Sequence, residues 1–207
     1  MTLRLEDTRV ASPSLVPELK LHLLTPDSPH WHAVDPSALG WPYWAVAWPG
    51  GQALARHLLD HPALVRGRRV LDFGSGGAVE GVAAAKAGAT SVLCADVDPL
   101  AAAAAQANAT LNGVHLDVTH EDLLGAPRGA WDVVIAGDVC FEPELAMRII
   151  AWLRALSAAG CDVLLGDPSR VALPLDALDL LATYEAPHDG DVRALTRWKT
   201  LVARVGR

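Results

Sequence analysis

A doubly wound α/β fold on a mostly parallel sheet is what this sequence predicts, on three observations. From residue 70 onward, short apolar or β-branched runs alternate with Ala- and Leu-rich stretches of helical length. One run stops at Asp72 and enters a glycine-rich turn, Gly74-Ser75-Gly76-Gly77. The next run stops, one helix later, at a second acid, Asp96. Strand, glycine loop, helix and acid-ended strand together make a crevice at the carboxyl edge of a sheet, suited to a ligand that carries a ribose.

Residues 18–24 read as a strand, and residues 52–60 as a helix that stops before Pro62. Strands follow at 70–73, 91–96, around 116–119, at 131–136 and at 162–166, with helices at 79–87, 99–112 and 143–159 between them. Asp98-Pro99 supplies an N-cap and a first-turn proline for the second of these helices, and Asn112-Gly113 supplies its stop. Parallel strands joined by helices need both faces of the sheet covered. In the last segment, 181–205, two strand-like runs flank the polar loop 186–191, which predicts a terminal antiparallel hairpin. Residues 1–50, rich in Pro, Trp and Gly, read as an N-terminal extension packed on a catalytic domain of residues 51–207, one structural domain overall.

A chain of 207 residues, 51% hydrophobic and 20% charged, has the composition of an ordinary globular protein. No apolar run approaches the roughly 20 residues that span a bilayer, and the N-terminus lacks the apolar core of a secretory signal. Neither a membrane nor a compartment other than the cytoplasm is expected. The net charge of −7 gives no general attraction to phosphate backbones, so nucleic acid is a disfavoured partner. Cys94, Cys140 and Cys161 have no CxxC spacing and read as buried thiols. His57 and His61 lie one helical turn apart without the glutamate of a zinc protease, and no metal is expected there or at His30-Trp31-His32.

The glycine loop lacks the GxGxxG spacing that seats a pyrophosphate, and Glu80 places a negative charge near the same helix start. A loop opened by Asp72 suits a cation instead, such as a sulfonium or an α-amine. Asp96 is placed to accept hydrogen bonds from ribose hydroxyls, because Asp98 already fills the N-cap role. Asp122, after the third strand, is placed to accept from an adenine amine. Asp138 follows Gly137 at the carboxyl end of a buried strand, a catalytic address, although a turn or cap residue before Pro143 is also consistent with its position.

Asp72-Phe-Gly-Ser-Gly76, Ala95-Asp-Val-Asp-Pro99, Asn108-Ala-Thr-Leu-Asn-Gly113 and Gly137-Asp-Val-Cys-Phe141 together resemble the class I S-adenosylmethionine-dependent methyltransferases. Within that superfamily the chain is similar to the seven-β-strand protein lysine methyltransferases, in particular the electron transfer flavoprotein β-subunit group. The segment from Pro42 to Ala55, Gly166-Asp-Pro-Ser-Arg170 and Thr196-Arg-Trp198 carry that likeness, which covers roughly residues 15–200. It implies a Rossmann-like, seven-stranded sheet and S-adenosyl-L-methionine as cofactor. It implies cofactor contacts from Trp48, Asp72, Gly74, Ser75, Gly76, Asp96, Val97, Asp122 and Leu123. Asp138 would aim a substrate amine, Phe141 would supply an aromatic wall, and the electron transfer flavoprotein β subunit would be the protein substrate. The third glycine usual in such loops is here Ala78, which implies a shifted loop or weaker cofactor binding.

Other acceptors, a ribosomal protein or a small-molecule amine, fit the same chemistry. A nicotinamide-dependent oxidoreductase and an inactive methyltransferase-like binding protein are further readings. The sequence leaves the oligomeric state open.

Overall fold

The computed structural model describes residues 5, 8–25, 42–170, 173, 178–187 and 197–206. Strands β1 (Thr8–Ala11) and β2 (Leu21–Leu24) form an antiparallel ribbon ahead of the main sheet. The sequence pattern had placed a strand at 18–24 and none at β1, whose half-exposed residues carry no clear alternation. A short 3₁₀ turn, Tyr43–Ala45, leads into helix α1 (Pro49–Asp60). This helix begins ahead of the expected 52, because Pro49 takes the first helical position and Trp48 the N-cap.

The main sheet contains β3 (Arg69–Phe73), β4 (Ser91–Ala95), β5 (Asp117–Thr119), β6 (Val133–Gly137), β7 (Asp162–Asp167), β8 (Leu178–Pro187) and β9 (Arg197–Val205). Helices α2 (Val79–Lys86), α3 (Pro99–Asn112) and α4 (Pro143–Ala158) connect its parallel part. Its order is β5-β4-β3-β6-β7-β9-β8, with β9 antiparallel to both β7 and β8. This is the mostly parallel seven-stranded sheet with an antiparallel end that the sequence predicts. The apex of the terminal hairpin, from residue 188 to 196, and His30-Trp31-His32 lie outside the described residues.

The period-2 alternation of each strand divides the core. Val70, Ile135 and Leu164 face α1 and α2 and pack with Leu54, Leu58 and Val82. Their neighbours Leu71, Val134 and Leu165 face α4 and pack with Ile149, Leu153 and Leu156. Each fully buried Leu or Ile contributes about 1.5–3 kcal/mol, so the two layers fix the register of β3, β6 and β7. The Asp98 carboxylate accepts the Leu100 N–H at 2.8 Å, and Gly113 ends α3 at φ 64°, as the local sequence predicts.

The N-terminal ribbon is tied to α3 by two asparagines one turn apart. Asn108 accepts the His22 N–H at 2.8 Å and donates to the Gly77 carbonyl at 2.8 Å, while Asn112 donates to the Lys20 carbonyl and accepts from its N–H. The extension is therefore fastened to the glycine loop itself. Among the described residues, no helix is long and apolar enough to cross a membrane.

Candidate active site

Strands β4 and β5 lie to one side of β3, and β6 and β7 to the other, so the chain reverses direction across the sheet between β3 and β6. Ligands bind outside the carboxyl ends of strands at such a switch point. The glycine loop leaves β3 here, its Gly74 and Ser75 N–H groups bound to the Ala95 carbonyl and Gly74 and Gly76 at φ 69° and 49°. A side chain at Gly74 would meet Val139 at 2.8 Å, and one at Gly77 would meet the Trp44 carbonyl at 2.5 Å. The loop is thus fitted between the 3₁₀ turn and the β6 end.

Ala78, the departure from the usual third glycine, adopts φ 60° and ψ 41°, so the glycine-like backbone is kept. The left-handed conformation costs an alanine about 1–2 kcal/mol. Against this, alanine avoids about 0.5–1 kcal/mol of glycine chain entropy, and its fully buried methyl contributes about 0.8 kcal/mol. The terms nearly cancel. Ala78→Gly is accordingly expected to change the unfolding free energy by less than about 1 kcal/mol in urea titrations.

Asp96 accepts the Gly76 N–H at 2.8 Å and the Asp98 N–H at 3.0 Å, which holds its carboxylate at the mouth of the loop. Val97 beside it is exposed. Asp122 is exposed and accepts the Leu124 N–H at 2.9 Å, while Leu123 packs on the α4-side core. Asp72 lies deeper than its place in the loop suggests. It is fully buried, its Oδ2 accepts from the Cys94 thiol at 3.8 Å, its carboxyl takes a backbone hydrogen bond from Gly81, and among the described residues its Oδ1 has no partner. Burial pushes its carboxyl up to about 7.

Asp138 has φ 58°, a left-handed turn that aims its side chain back under the start of α1. Its Oδ2 accepts the Gly51 N–H at 2.9 Å, with a further hydrogen bond from Gly50, and its Oδ1 accepts from Arg170 Nη1 at 2.7 Å. Arg170 also reaches Asp167 at 3.1 Å. Burial raises the Asp138 carboxyl above its ordinary range against the pull of Arg170, and burial pushes Asp167 up to about 6. A carboxylate offers about four lone-pair sites. Two backbone N–H groups and one guanidinium leave room for one more donor.

Three aromatic rings group at the end of β6 and the start of α1. Phe141, 59% exposed, stands 6.0 Å from the ring of Tyr43, which stands 5.9 Å from Trp48. Trp48 donates its indole N–H to the Tyr43 carbonyl at 2.9 Å. Trp44, by contrast, is buried with Leu24, Ala45, Ala101 and Ala104 under the extension, so it packs core and does not fold over the crevice.

Sequence reasoning brought together Trp48, the glycine loop, Asp96, Asp138 and Phe141, and the fold sets them along one edge. It did not single out Tyr43, Arg170 or Asp167 as site residues, and it read Glu80 only as a charge at a helix end. A signal existed for Asp167, because Gly166-Asp167 repeats the pattern of Gly137-Asp138 at the end of the adjacent strand. Among the described residues, no group of three metal-ligating side chains occurs.

A family model described as ribosomal protein L11 methyltransferase matches residues 54–140. The electron transfer flavoprotein β-subunit lysine methyltransferase of Xenopus laevis is 44% identical over 169 residues, covering 80% of this chain and 69% of that protein. The homologue of that enzyme in Caenorhabditis elegans is 32% identical, covering 87% of this chain and 80% of its own. Magnesium protoporphyrin IX methyltransferase from Synechocystis, solved with bound S-adenosylmethionine, superposes with a TM-score of 0.53 at 20% identity, over 75% of this chain and 78% of that one. The chain spans about two thirds of the length of the vertebrate relatives, 64% for the human one.

Proposed function

The chain belongs to the electron transfer flavoprotein β-subunit lysine methyltransferase family, and we propose that it methylates lysine side chains of that subunit at the Asp138 site. Its cofactor is S-adenosyl-L-methionine. The residues fit that cofactor. The crevice has a glycine loop whose backbone lies against Trp44 and Val139 with no side chains of its own in the way, and the Asp96 carboxylate held at its mouth, where a ribose would lie. When bound, the cofactor supplies an electrophilic methyl group on a sulfonium.

The protein's own work is positioning and exclusion of water. Asp96 and the Gly74–Gly76 backbone would orient the ribose. Tyr43, Trp48 and Phe141 would form the apolar walls along which a lysine side chain reaches the crevice, with cation–π contacts worth about 0.5–2 kcal/mol. A lysine amine attacks only when neutral, so desolvation there lowers its pKa. The remaining lone pair of Asp138 would accept an amine N–H and aim the nitrogen lone pair, while water carries off the proton. The observation that carries this reading is the arrangement of Asp138, held by α1 and Arg170 at the carboxyl end of β6, three residues before the exposed Phe141.

Purified chain with methyl-labelled S-adenosylmethionine should label lysines of the electron transfer flavoprotein β subunit. A subunit left unlabelled while another protein in the same lysate takes up label would overturn the substrate. A ribosomal-protein acceptor is the second reading, favoured by the match over residues 54–140, and belongs in the same assay.

A further inference from the structure

Among the described residues, the cation in contact with the Asp138 carboxylate is the guanidinium of Arg170. Its Nη1 donates to Asp138 Oδ1 at 2.7 Å and to Asp167 Oδ2 at 3.1 Å, so one nitrogen bridges two acids. The turn after β7 fixes that place. Asp167 ends the strand with its side chain fully buried, its Oδ1 accepts the Arg170 N–H at 2.7 Å, and Ser169 between them takes φ 61°. The Gly166 carbonyl accepts the Asp138 N–H at 2.9 Å, which sets the ends of β6 and β7 side by side. The Arg170 side chain is 24% exposed and that of Asp138 7%, so solvent screens the pair little.

A buried carboxyl tends to keep its proton, and in that form it donates where an amine needs an acceptor. A buried carboxylate without a counter-charge has the opposite fault. It stabilises an incoming lysine as the ammonium, which has no lone pair to attack a methyl group. A guanidinium, charged at every working pH, corrects both faults by favouring the ionised acid and offsetting its charge toward the amine. We propose that Arg170 is a positioning residue for methyl transfer, holding Asp138 ionised and aligned as an acceptor while preventing it from locking the substrate lysine in the ammonium form. This inference rests on the Asp138 site proposed above.

The other groups around Asp138 make that task necessary. From β7 it faces the Asp167 carboxyl, and beyond β6 the Cys140 thiol. From α2 it faces Glu80, which is 4% exposed and fills the space that side chains at Gly51 and Gly137 would take. From α1 come the Gly50 and Gly51 N–H groups, which support the charge. Burial is the largest influence and raises the Asp138 carboxyl, while Arg170 leads the groups that hold it down. Loss of the Arg170 charge therefore raises the pH at which Asp138 ionises, and also the pH at which the bound lysine becomes neutral. Both displace the rise of rate with pH upward.

Single-turnover transfer to the electron transfer flavoprotein β subunit, followed from about pH 6.5 to 9.5, reads that displacement. Arg170→Gln should move the rise up by about one unit, a loss of about ten-fold at neutral pH that narrows to within about three-fold at the alkaline end. Its calorimetric affinity for S-adenosylmethionine should stay within about three-fold of the unmodified chain. Arg170→Lys, which keeps the charge, should return the midpoint of the profile. Added to Asp138→Asn, Arg170→Gln should slow transfer no further. A loss equal at every pH, or one that multiplies with that of Asp138→Asn, overturns the proposal and leaves Arg170 a tie within the β7 turn. Carboxyl-carbon NMR of the aspartate-labelled chain needs no Arg170 variant to fold. The signal missing in Asp138→Asn should be that of an ionised carboxylate at neutral pH, and a protonated one overturns the proposal. Normal turnover by Asp138→Asn would instead overturn the Asp138 site, and this inference with it.

Discussion

Asp138→Asn is expected to lower the methyl-transfer rate about a thousand-fold while changing S-adenosylmethionine affinity less than about three-fold. Asparagine is the informative replacement. It tolerates the left-handed φ of 58° that an alanine would resist, and its amide oxygen still accepts from the first turn of α1. What it loses is the charge that faces Arg170 and the acceptor that aims the amine. If Asp138 served only to anchor α1, this variant would keep near-normal turnover once folded. Single-turnover rates with the electron transfer flavoprotein β subunit, set beside calorimetric cofactor affinity, separate the two roles.

Gly166→Ala is expected to destabilise the protein by about 3 kcal/mol or more and to abolish activity in the fraction that folds. A side chain at Gly166 would collide with the Gly50 carbonyl oxygen and come within 2.9 Å of its carbon and 3.0 Å of Leu54 Cβ. Most of those atoms are backbone, so no rotamer change relieves the clash, and α1 must lift off β7. Lifting α1 withdraws Leu54 and Leu58 from the core and pulls the Gly51 N–H away from Asp138. Gly113→Ala makes the control. That glycine has φ 64° and no atoms near its missing side chain, so only the left-handed strain of about 1 kcal/mol applies. Urea unfolding of the two variants beside the unmodified chain gives the comparison, and an equal cost would show that the close approach of α1 to β7 carries no special weight.

The elements that local chemistry dictates were legible. Asp98-Pro99 and Asn112-Gly113 bound α3, and the period-2 runs of β3, β6 and β7 locate the strands within a residue or two. Asp96 and Asp138 were legible because strand ends followed by an acid are visible in a line of residues. Asp72 was only partly so, since the alternation that makes it a strand residue also turns its carboxyl toward the α2 face and away from the loop mouth. Glu80 was misleading by itself. Its exposed-looking place in a first turn is overridden by Gly51 and Gly137, residues far from it in sequence.

By itself the sequence determined the alternation of strands and helices, the glycine loop, its acidic companions and hence the crevice, because each depends on periodicity or on neighbours a few residues apart. The tertiary structure decided which side chains meet across the sheet edge. Arg170 reaches Asp138 because β7 pairs with β6, and Tyr43 is held near Phe141 because its neighbours Trp44 and Ala45 pack on Ala101 and Ala104 of α3. Such contacts join residues separated by tens of positions, and no local preference encodes them. They arise only when burial of the two core layers brings the strand ends and the extension to one place.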